Sequence, residues 1–247
     1  MTHGVSLSWV VPVHNDELTI GATVTRLVER TRGFGSSEIV LVENGSRDAS
    51  WKNCEALDGN HDGVRVRAFR EPNAGLGFAY ARGLSELEAA HGPSAKRWAV
   101  LTASDLPWGF TDLEAALPHM KSGRAPVVIG SKAHPDSQAF GGWKRLAMST
   151  AFRFARRLML GMKTGDSQGS FFIRLDVAVP LAHRVASRDF FYTTELVYFA
   201  EAMADGVVEV PAVIDPSQQL GISSVKPLRD GTAMLKQLVA LRRREQR

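Results

Sequence analysis

Cysteine is almost missing from this sequence: Cys54 is the only one in 247 residues. A single thiol cannot close an internal disulfide, which favours a reducing cytoplasm or a fold indifferent to redox state. Long apolar runs are missing as well. The longest lie near residues 9–13 and 98–102, well short of the roughly 20 residues that a membrane-spanning helix needs. Residues 1–8 hold no basic patch leading into an apolar run, so no signal peptide is expected. No helix-turn-helix, zinc-finger or RNA-binding signature is present, which removes nucleic acid from the expected partners. Nor is there an internal repeat, a low-complexity segment or a clear linker. These absences leave a soluble or peripheral chain, expected in the cytoplasm.

What is present suits one large α/β domain. Hydrophobic residues make up 44% and charged residues 23%, an ordinary globular balance. A chain of this length can bury a sizeable core without disulfides or metals. The formal net charge is +4, and much of the excess is local. Lys144, Arg145, Arg153, Arg156 and Arg157 share one segment, and Lys236 with Arg242, Arg243 and Arg244 another. Such runs read either as solvated helix faces or as attraction to phosphates, on a nucleotide or on an anionic lipid surface.

Hydrophobic periodicity organises the first half. Short β-rich runs at 8–13, 38–42, 64–69, 98–102 and 126–130 alternate with helical spacings at 18–32, 49–57, 78–90 and 110–120. This alternation predicts a mostly parallel sheet covered on both faces. From residue 141 the pattern changes. A long basic amphipathic helix is expected at 143–160 and a glycine-bearing, then apolar, stretch at 166–173. A helix at 193–204, a strand at 207–213, a polar loop at 221–228 and a basic helix at 229–243 follow. In open α/β sheets ligands bind beyond the carboxyl ends of the strands. Four such loops, at 14–17, 43–48, 73–77 and 104–105, carry polar or glycine-rich clusters that the fold would gather on one edge.

The same loops carry a family resemblance. Val10 to Glu17 (VVPVHNDE), Val42 to Asp48 (VENGSRD) and Asn73 to Ala79 (NAGLGFA) are similar, in order, to segments of the family 2 glycosyltransferases. Ala103 to Leu106 falls where that family has D-A-D-L, and Gly130–Ser131–Lys132 resembles G-S-R. Trp143 to Ser149 resembles the W-x-R-x-x-x-S helix start of the dolichyl- and polyprenyl-phosphate sugar transferases. Asp166 to Phe171, Glu195 and Glu209–Val210–Pro211 continue the match to that branch. The resemblance implies a single-domain GT-A fold with a mostly parallel, Rossmann-like sheet. Residues 1–132 would form a nucleotide-sugar-binding half, and residues 133–247 an acceptor-binding half ending in the basic helix.

The resemblance also implies roles. Pro12 ends the first strand, and His14, Asn15 and Glu17 would face the nucleoside; Asp16 or Glu17 could equally serve the next helix's N-terminus. Glu43 stands where the family has an aspartate that accepts a hydrogen bond from the base, and a carboxylate suits a uracil or guanine N–H. Asn44 and Ser46 complete that loop, or simply make a turn. Asn73, Gly75 and Gly77 would let backbone approach the ligand at a helix start. Ser104 and Asp105 occupy the Asp-x-Asp position that holds Mg2+ or Mn2+ on the diphosphate. Ala103 replaces the first acid, so Asp105 alone remains as metal ligand. Lys132, Arg145 and Ser149 resemble a phosphate-binding set.

Asp105, Arg145 and Glu195 form the expected catalytic group. Leu196 follows Glu195 where hydroxyl-accepting relatives carry a second acid. A phosphate acceptor needs no proton removed, so the missing acid leans toward a lipid-phosphate acceptor. The expected reaction is inverting transfer from a UDP- or GDP-sugar to a polyprenyl- or dolichyl-phosphate. The alternative is transfer to a hydroxyl of a small molecule or glycan, with Glu195 or Asp189 as base. Lipid contact would be peripheral, through the helix from Trp143 and the terminal basic helix.

Overall fold

The computed structural model describes residues 4–138, 143–203, 206–213 and 227–246, with the side chains of 143–145 and 227–231 left aside. The first half alternates as the periodicity predicts: β1 (Ser6–Val13), α1 (Ile20–Thr31), β2 (Glu38–Asn44), α2 (Ser50–Leu57), β3 (Gly59–His61), β4 (Val64–Glu71), α3 (Leu76–His91), β5 (Arg97–Leu101), α4 (Thr111–Ser122) and β6 (Val127–Ser131). The rest is α5 (Trp143–Leu160), β7 (Ser170–Arg174), α6 (Leu175–Arg184), α7 (Tyr192–Glu201), β8 (Val207–Pro211) and α8 (Pro227–Glu245).

All these strands belong to one eight-stranded sheet of order β3-β4-β2-β1-β5-β7-β6-β8. β4, β2, β1 and β5 run parallel, as do β6 and β8. β7 runs antiparallel between β5 and β6, which the parallel expectation did not foresee. Its apolar run Phe171–Phe172–Ile173 is fully buried on both faces, so only an interior slot of the sheet can accommodate it. The antiparallel β3 and the helix α6 were also not expected from sequence. Asp62 and Gly63, both at positive φ (51° and 85°), make the two-residue turn that pairs β3 with β4. Such Asp-Gly turns match the twist of a hairpin.

Alternation along the strands sorts two cores. Trp9, Val11, Ile39, Leu41, Trp98 and Val100 pack with Ile20, Val24 and Leu27 of α1 and Leu113 of α4. Val10, Val40, Val42, Ala99 and Leu101 face Tyr80, Leu84 and Leu87 of α3, with α6, α7 and α8 behind. The sheet is therefore covered on both sides, and its loops are left to the two ends. At the amino ends of the strands, Glu38 ties the sheet down. It accepts from Ser8 Oγ (3.0 Å), Arg67 Nε (3.0 Å) and Arg97 Nη1 (3.4 Å), and from His91.

One buried acid in this core has a pH signature. Asp112, at the start of α4, accepts from Ser170 Oγ and from the Leu113 N–H (2.8 Å). Burial pushes its carboxyl up to about 6, and these two hydrogen bonds only partly offset it. A raised carboxyl pKa means the folded state holds its proton while the unfolded chain has released it. Stability from this residue therefore falls as pH rises from about 4 to about 6, and stays lower above that. The shift corresponds to about 3 kcal/mol. Asp112→Asn should raise stability at pH 7.5 by about 1–3 kcal/mol and flatten the curve between pH 4 and 6. Urea titrations across that range measure it; an unchanged slope would contradict the assignment.

Candidate functional site

The carboxyl ends of β2, β1 and β5 lie side by side, and their loops are stitched together. His14 Nδ1 lies 2.8 Å from the Asn44 carbonyl. The Asn15 N–H donates to Ser46 Oγ (3.1 Å), and Asn15 Oδ1 accepts from the Arg47 N–H (2.9 Å). The Asp16 N–H donates to Ser50 Oγ (2.8 Å), while Glu17 Oε2 accepts from the Ala49 N–H (2.8 Å) at the head of α2. Asn15 holds a left-handed φ of 57°, a conformation that asparagine tolerates better than most residues. Pro12 does not end β1: it pairs with Val42, and the strand runs on to Val13 opposite Glu43; its missing N–H falls past Val10, the last β1 residue paired with β5.

Several residues that the sequence assigned to the nucleoside also tie the loops to one another. His14, Asn15, Glu17 and Ser46 bond to neighbouring loops, and Glu17 caps α2. They shape the site's walls. What the walls leave open lies on β2. Glu43 is buried; its Oε1 takes the Ser46 N–H (2.5 Å). Its Oε2 lies 3.3 Å from Arg70 Nε but has no aligned hydrogen bond. Asn44 donates from Nδ2 to the Gly75 carbonyl (3.1 Å), and its Oδ1 is buried without a partner. Consecutive strand residues point to opposite faces of the sheet, so the Glu43 carboxylate, paired with Arg70, lies on the α2 side and Asn44 on the α3 side. Buried polar atoms are nearly always satisfied, so Asn44 Oδ1 marks a place where a donor group belongs.

Asp105 lies on the neighbouring loop. Ser104 Oγ donates to Asp16 Oδ2 (2.8 Å) and so fastens the β5 loop to the β1 loop. Leu106 then adopts φ of 44°, strained for a branched apolar side chain and typical of functional loops. Asp105 keeps an exposed face, yet the surrounding protein raises its carboxyl above the usual range. Burial is the first cause, and the negative charge of Asp16 adds to it. Asp16, read from sequence only as helix-terminal charge, is thus the second acid of the site.

The glycine turn behaves differently from expectation. Gly75 has φ of 143°, a conformation that L side chains avoid. A Cβ at Gly75 would lie 2.5 Å from the Arg188 carbonyl oxygen, and one at Gly77 2.7 Å from Arg188 Cα and 2.8 Å from Tyr192 Cβ. The Gly77 N–H donates to that carbonyl at 3.0 Å. The two glycines therefore admit the backbone of Arg188, from the second half of the chain. Asn73, exposed beside them, is held by Glu71 Oε1 (2.7 Å).

Glu195, expected as catalytic, holds the Arg188 loop. Its buried carboxylate accepts from the Ala186 N–H (2.7 Å), the Ser187 N–H (3.3 Å) and Ser187 Oγ (2.9 Å), with Arg244 Nη2 of α8 at 3.5 Å. Both oxygens are engaged, so it is not an open base. Asp189 on the same loop is exposed, oriented by the Phe191 N–H (2.9 Å) and Gln237 Nε2 (2.8 Å).

Lys132, beyond β6, lies with Nζ 2.9 Å from Asp166 Oδ2 and from the Gln168 carbonyl, over the Trp108 ring. Burial pushes Asp166 up, but Lys132 and the surrounding N–H donors outweigh it and hold the carboxyl below its usual range. The loop carrying Asp166 is itself clamped. Glu209 accepts its Gly165 and Asp166 N–H groups (2.8 and 3.1 Å), and buried Arg156 donates to the Thr164 and Gly165 carbonyls (3.3 and 3.0 Å). Ser149 is exposed on α5. The side chain of Arg145 lies outside the described residues. Sequence reading took Arg156 for part of a basic surface, because nothing in a basic run tells which member turns inward.

Two surface cavities, of about 160 and 440 Å3, lie between α1 and the β3–β4 hairpin and around Glu38 at the opposite end of the strands. Polar chemistry marks the site.

Residues 8–179 match Glycosyl transferase family 2. The chain is 28% identical over 242 residues to Glycosyltransferase AglD of Haloferax volcanii, covering 96% of this chain and 37% of that protein. It thus spans little more than a third of that relative. Glucosyl-3-phosphoglycerate synthase from Mycobacterium tuberculosis, solved with UDP, superposes with a TM-score of 0.63 at 19% identity, covering 97% of this chain and 79% of that one. The same enzyme with Mn2+, UDP-glucose and phosphoglyceric acid gives 0.62 at 18% identity, over 96% and 78%. These structures share the fold, GT-A. The family match spans well over half the chain, from β1 into α6, and includes the loops at 14–17, 43–48, 73–77 and 104–105: this chain belongs to glycosyltransferase family 2 and is an enzyme of that family.

Proposed function

We propose that the chain moves a sugar, with inversion, from a uridine-diphosphate sugar to a phosphate group borne by a lipid. The observation that carries the donor side is the buried Glu43 carboxylate at the end of β2, whose Oε2 has the Arg70 guanidinium at 3.3 Å but no aligned hydrogen bond, on the edge that also carries the exposed carboxylate of Asp105. A base N–H would answer that oxygen. UDP accompanies the fold in glucosyl-3-phosphoglycerate synthase, which favours uracil over guanine.

A divalent cation fits this edge. Among the described residues no three His, Cys, Asp or Glu side chains gather as a metal cage. The Ser104–Asp16 hydrogen bond (2.8 Å) brings Asp16 to the Asp105 loop, and burial, with the charge of Asp16 adding to it, raises the Asp105 carboxyl. Mg2+ and Mn2+ accept such sites, where one or two carboxylates share the ion with substrate phosphates and water. Asp105 would hold the ion, which when bound supplies positive charge to the departing diphosphate. The chain's own part is positioning: the β1 and β2 loops hold the nucleoside, and the Arg188 loop aligns the second half against them.

Support for a phosphate acceptor comes from Glu195. It is engaged by Ala186, Ser187 and Arg244, and an ionised phosphate needs no base. Lys132 and Ser149 would meet that phosphate. No helix among the described residues is long and apolar enough to cross a membrane. A hydroxyl acceptor is the second reading, favoured by the exposed carboxylate of Asp189 on the Arg188 loop.

Thermal-shift panels test the donor. UDP-sugars with Mn2+ should raise the melting temperature by several degrees, since ligand at about 100 times its Kd adds about 2.7 kcal/mol. GDP-sugars should do less, and a flat panel overturns the donor site. The acceptor is tested by pH–rate profiles: a rising limb that Asp189→Asn removes would favour the hydroxyl.

A further inference from the structure

The amino ends of the strands carry a polar cluster of their own. Glu38 opens β2, and Glu43 lies about 16 Å further along that strand. Alternation sets the cluster on one face of the sheet. Ile39, Val66 and Trp98 pack on the α1 side, so Glu38, Arg65, Arg67 and Arg97 fall on the α3 side. His91, the last residue of α3, meets Glu38 there. These side chains line the surface cavity of about 440 Å3, with Asn60 of β3 and Ser36 ahead of β2 at its rim. Cavities of about 300–1,000 Å3 commonly hold small molecules.

Charge in this cavity does not balance. Among the described residues Glu38 is the only acid that lines it. It accepts at once from Arg67 Nε (3.0 Å), Arg97 Nη1 (3.4 Å), Ser8 Oγ (3.0 Å) and His91. Two guanidinium groups thus share one carboxylate, which leaves a positive charge over even with His91 neutral. Arg65 is answered by Asp58 (2.8 Å). The crowding registers at Arg97, whose pKa is lowered. Burial is the main cause; Glu38 opposes it, and the charge of Arg67 adds to it.

A donor is unanswered as well. Arg67 Nη2 is buried 2.9 Å from Glu38 Oε2 but makes no aligned hydrogen bond. A buried donor without an acceptor is costly. A pair built for stability alone needs one guanidinium fork for one carboxylate. Surplus charge, an unanswered donor and open volume coincide here, and an oxyanion satisfies all three. A phosphate group carries the offsetting charge, and its oxygens suit a guanidinium fork two at a time. The volume exceeds what bare phosphate fills and leaves room for a small organic group.

We propose that this cavity is a second binding site, for a small phosphate-bearing anion, at the opposite end of the strands from the donor loops. It depends on no property of those loops.

The test is proton NMR of the histidine rings at fixed pH and ionic strength, with inorganic phosphate and glycerol 3-phosphate as probes. His91 reports on the cavity, His14 on the donor loops and His134 on the loop after Lys132. Each signal is assigned by replacing that histidine with glutamine. Both probes should shift the His91 signals saturably at millimolar concentration or below, and the tighter one names the source of the phosphate group. Ser36→Asp/Asn60→Asp sets two carboxylates at the rim and should weaken binding at His91 by about tenfold or more. Both positions are exposed. An aspartate oxygen can still accept from the Gly63 N–H, as Asn60 Oδ1 does at 2.9 Å, so the melting temperature should match the parent. Shifts confined to His14 or His134 overturn the proposal. So do His91 shifts that chloride reproduces, or an affinity unaltered by the double substitution.

Discussion

Asp105→Asn is expected to lower kcat by about a thousandfold, the scale of losing one preorganised electrostatic contact to a developing charge, while leaving the fold intact. The substitution keeps the side chain's size and removes its charge. Asp105 keeps an exposed face, and partial burial with the charge of Asp16 raises its carboxyl above the usual range. Neutralising it relieves that repulsion, so the melting temperature should hold or rise slightly. Loss of turnover together with retained stability separates a role in the reaction from a role in folding. The Mn2+-dependent part of the UDP-sugar thermal shift should vanish with it. Full activity in the asparagine variant would remove Asp105 from the mechanism, and with it the cation site.

Glu195→Ala should act through structure. The alanine leaves the Ala186 and Ser187 N–H groups, and Ser187 Oγ, without the carboxylate that now accepts from them. It also leaves Arg244 without its partner in α7. Removing one member of a buried, charge-assisted network costs about 3–5 kcal/mol, so the melting temperature should fall by roughly 10 °C or more. The Arg188 loop is seated against Gly75 and Gly77, so the same change should raise the KM for the donor. Glu195→Gln retains one acceptor oxygen and should recover most of the stability. An open catalytic base would give the opposite pattern: near-normal stability, little donor effect, and a loss of kcat that glutamine does not rescue. Differential scanning fluorimetry with steady-state kinetics distinguishes the two.

The fold was legible where one physical signal dominated. β2, with its run EIVLVEN buried throughout, can only be an interior strand. α1 shows its buried face at Ile20, Val24, Leu27 and Val28 in sequence spacing alone. The antiparallel β7 was not legible, because strand order depends on which slot of the sheet is free. α6 was missed although Ala178, Leu181 and Ala182 lie buried at helical spacing. The Asp62–Gly63 hairpin carried a readable turn signal that was passed over.

The site was legible in its loops and much less so in its roles. Position in the chain identified 14–17, 43–48, 73–77 and 104–105, because loops at the carboxyl ends of parallel strands must share an edge. Residue type could not say which polar side chains bond to one another. His14, Asn15, Glu17 and Ser46 have the same chemistry whether they meet a nucleoside or a neighbouring loop; only their distances decide.

Sequence by itself determined the family, the covered parallel sheet and the edge where the loops gather, because periodicity and ordered local motifs depend on near neighbours. Tertiary structure decided what each polar group does. It paired Glu43 with Arg70, left Asn44 Oδ1 without a partner, seated the Glu195 carboxylate on the Arg188 loop, buried Arg156 within a basic run, and set an apolar stripe of α5 outward. Each outcome depends on which distant segment comes within about 3 Å, a relation between residues far apart in the chain that no local pattern encodes.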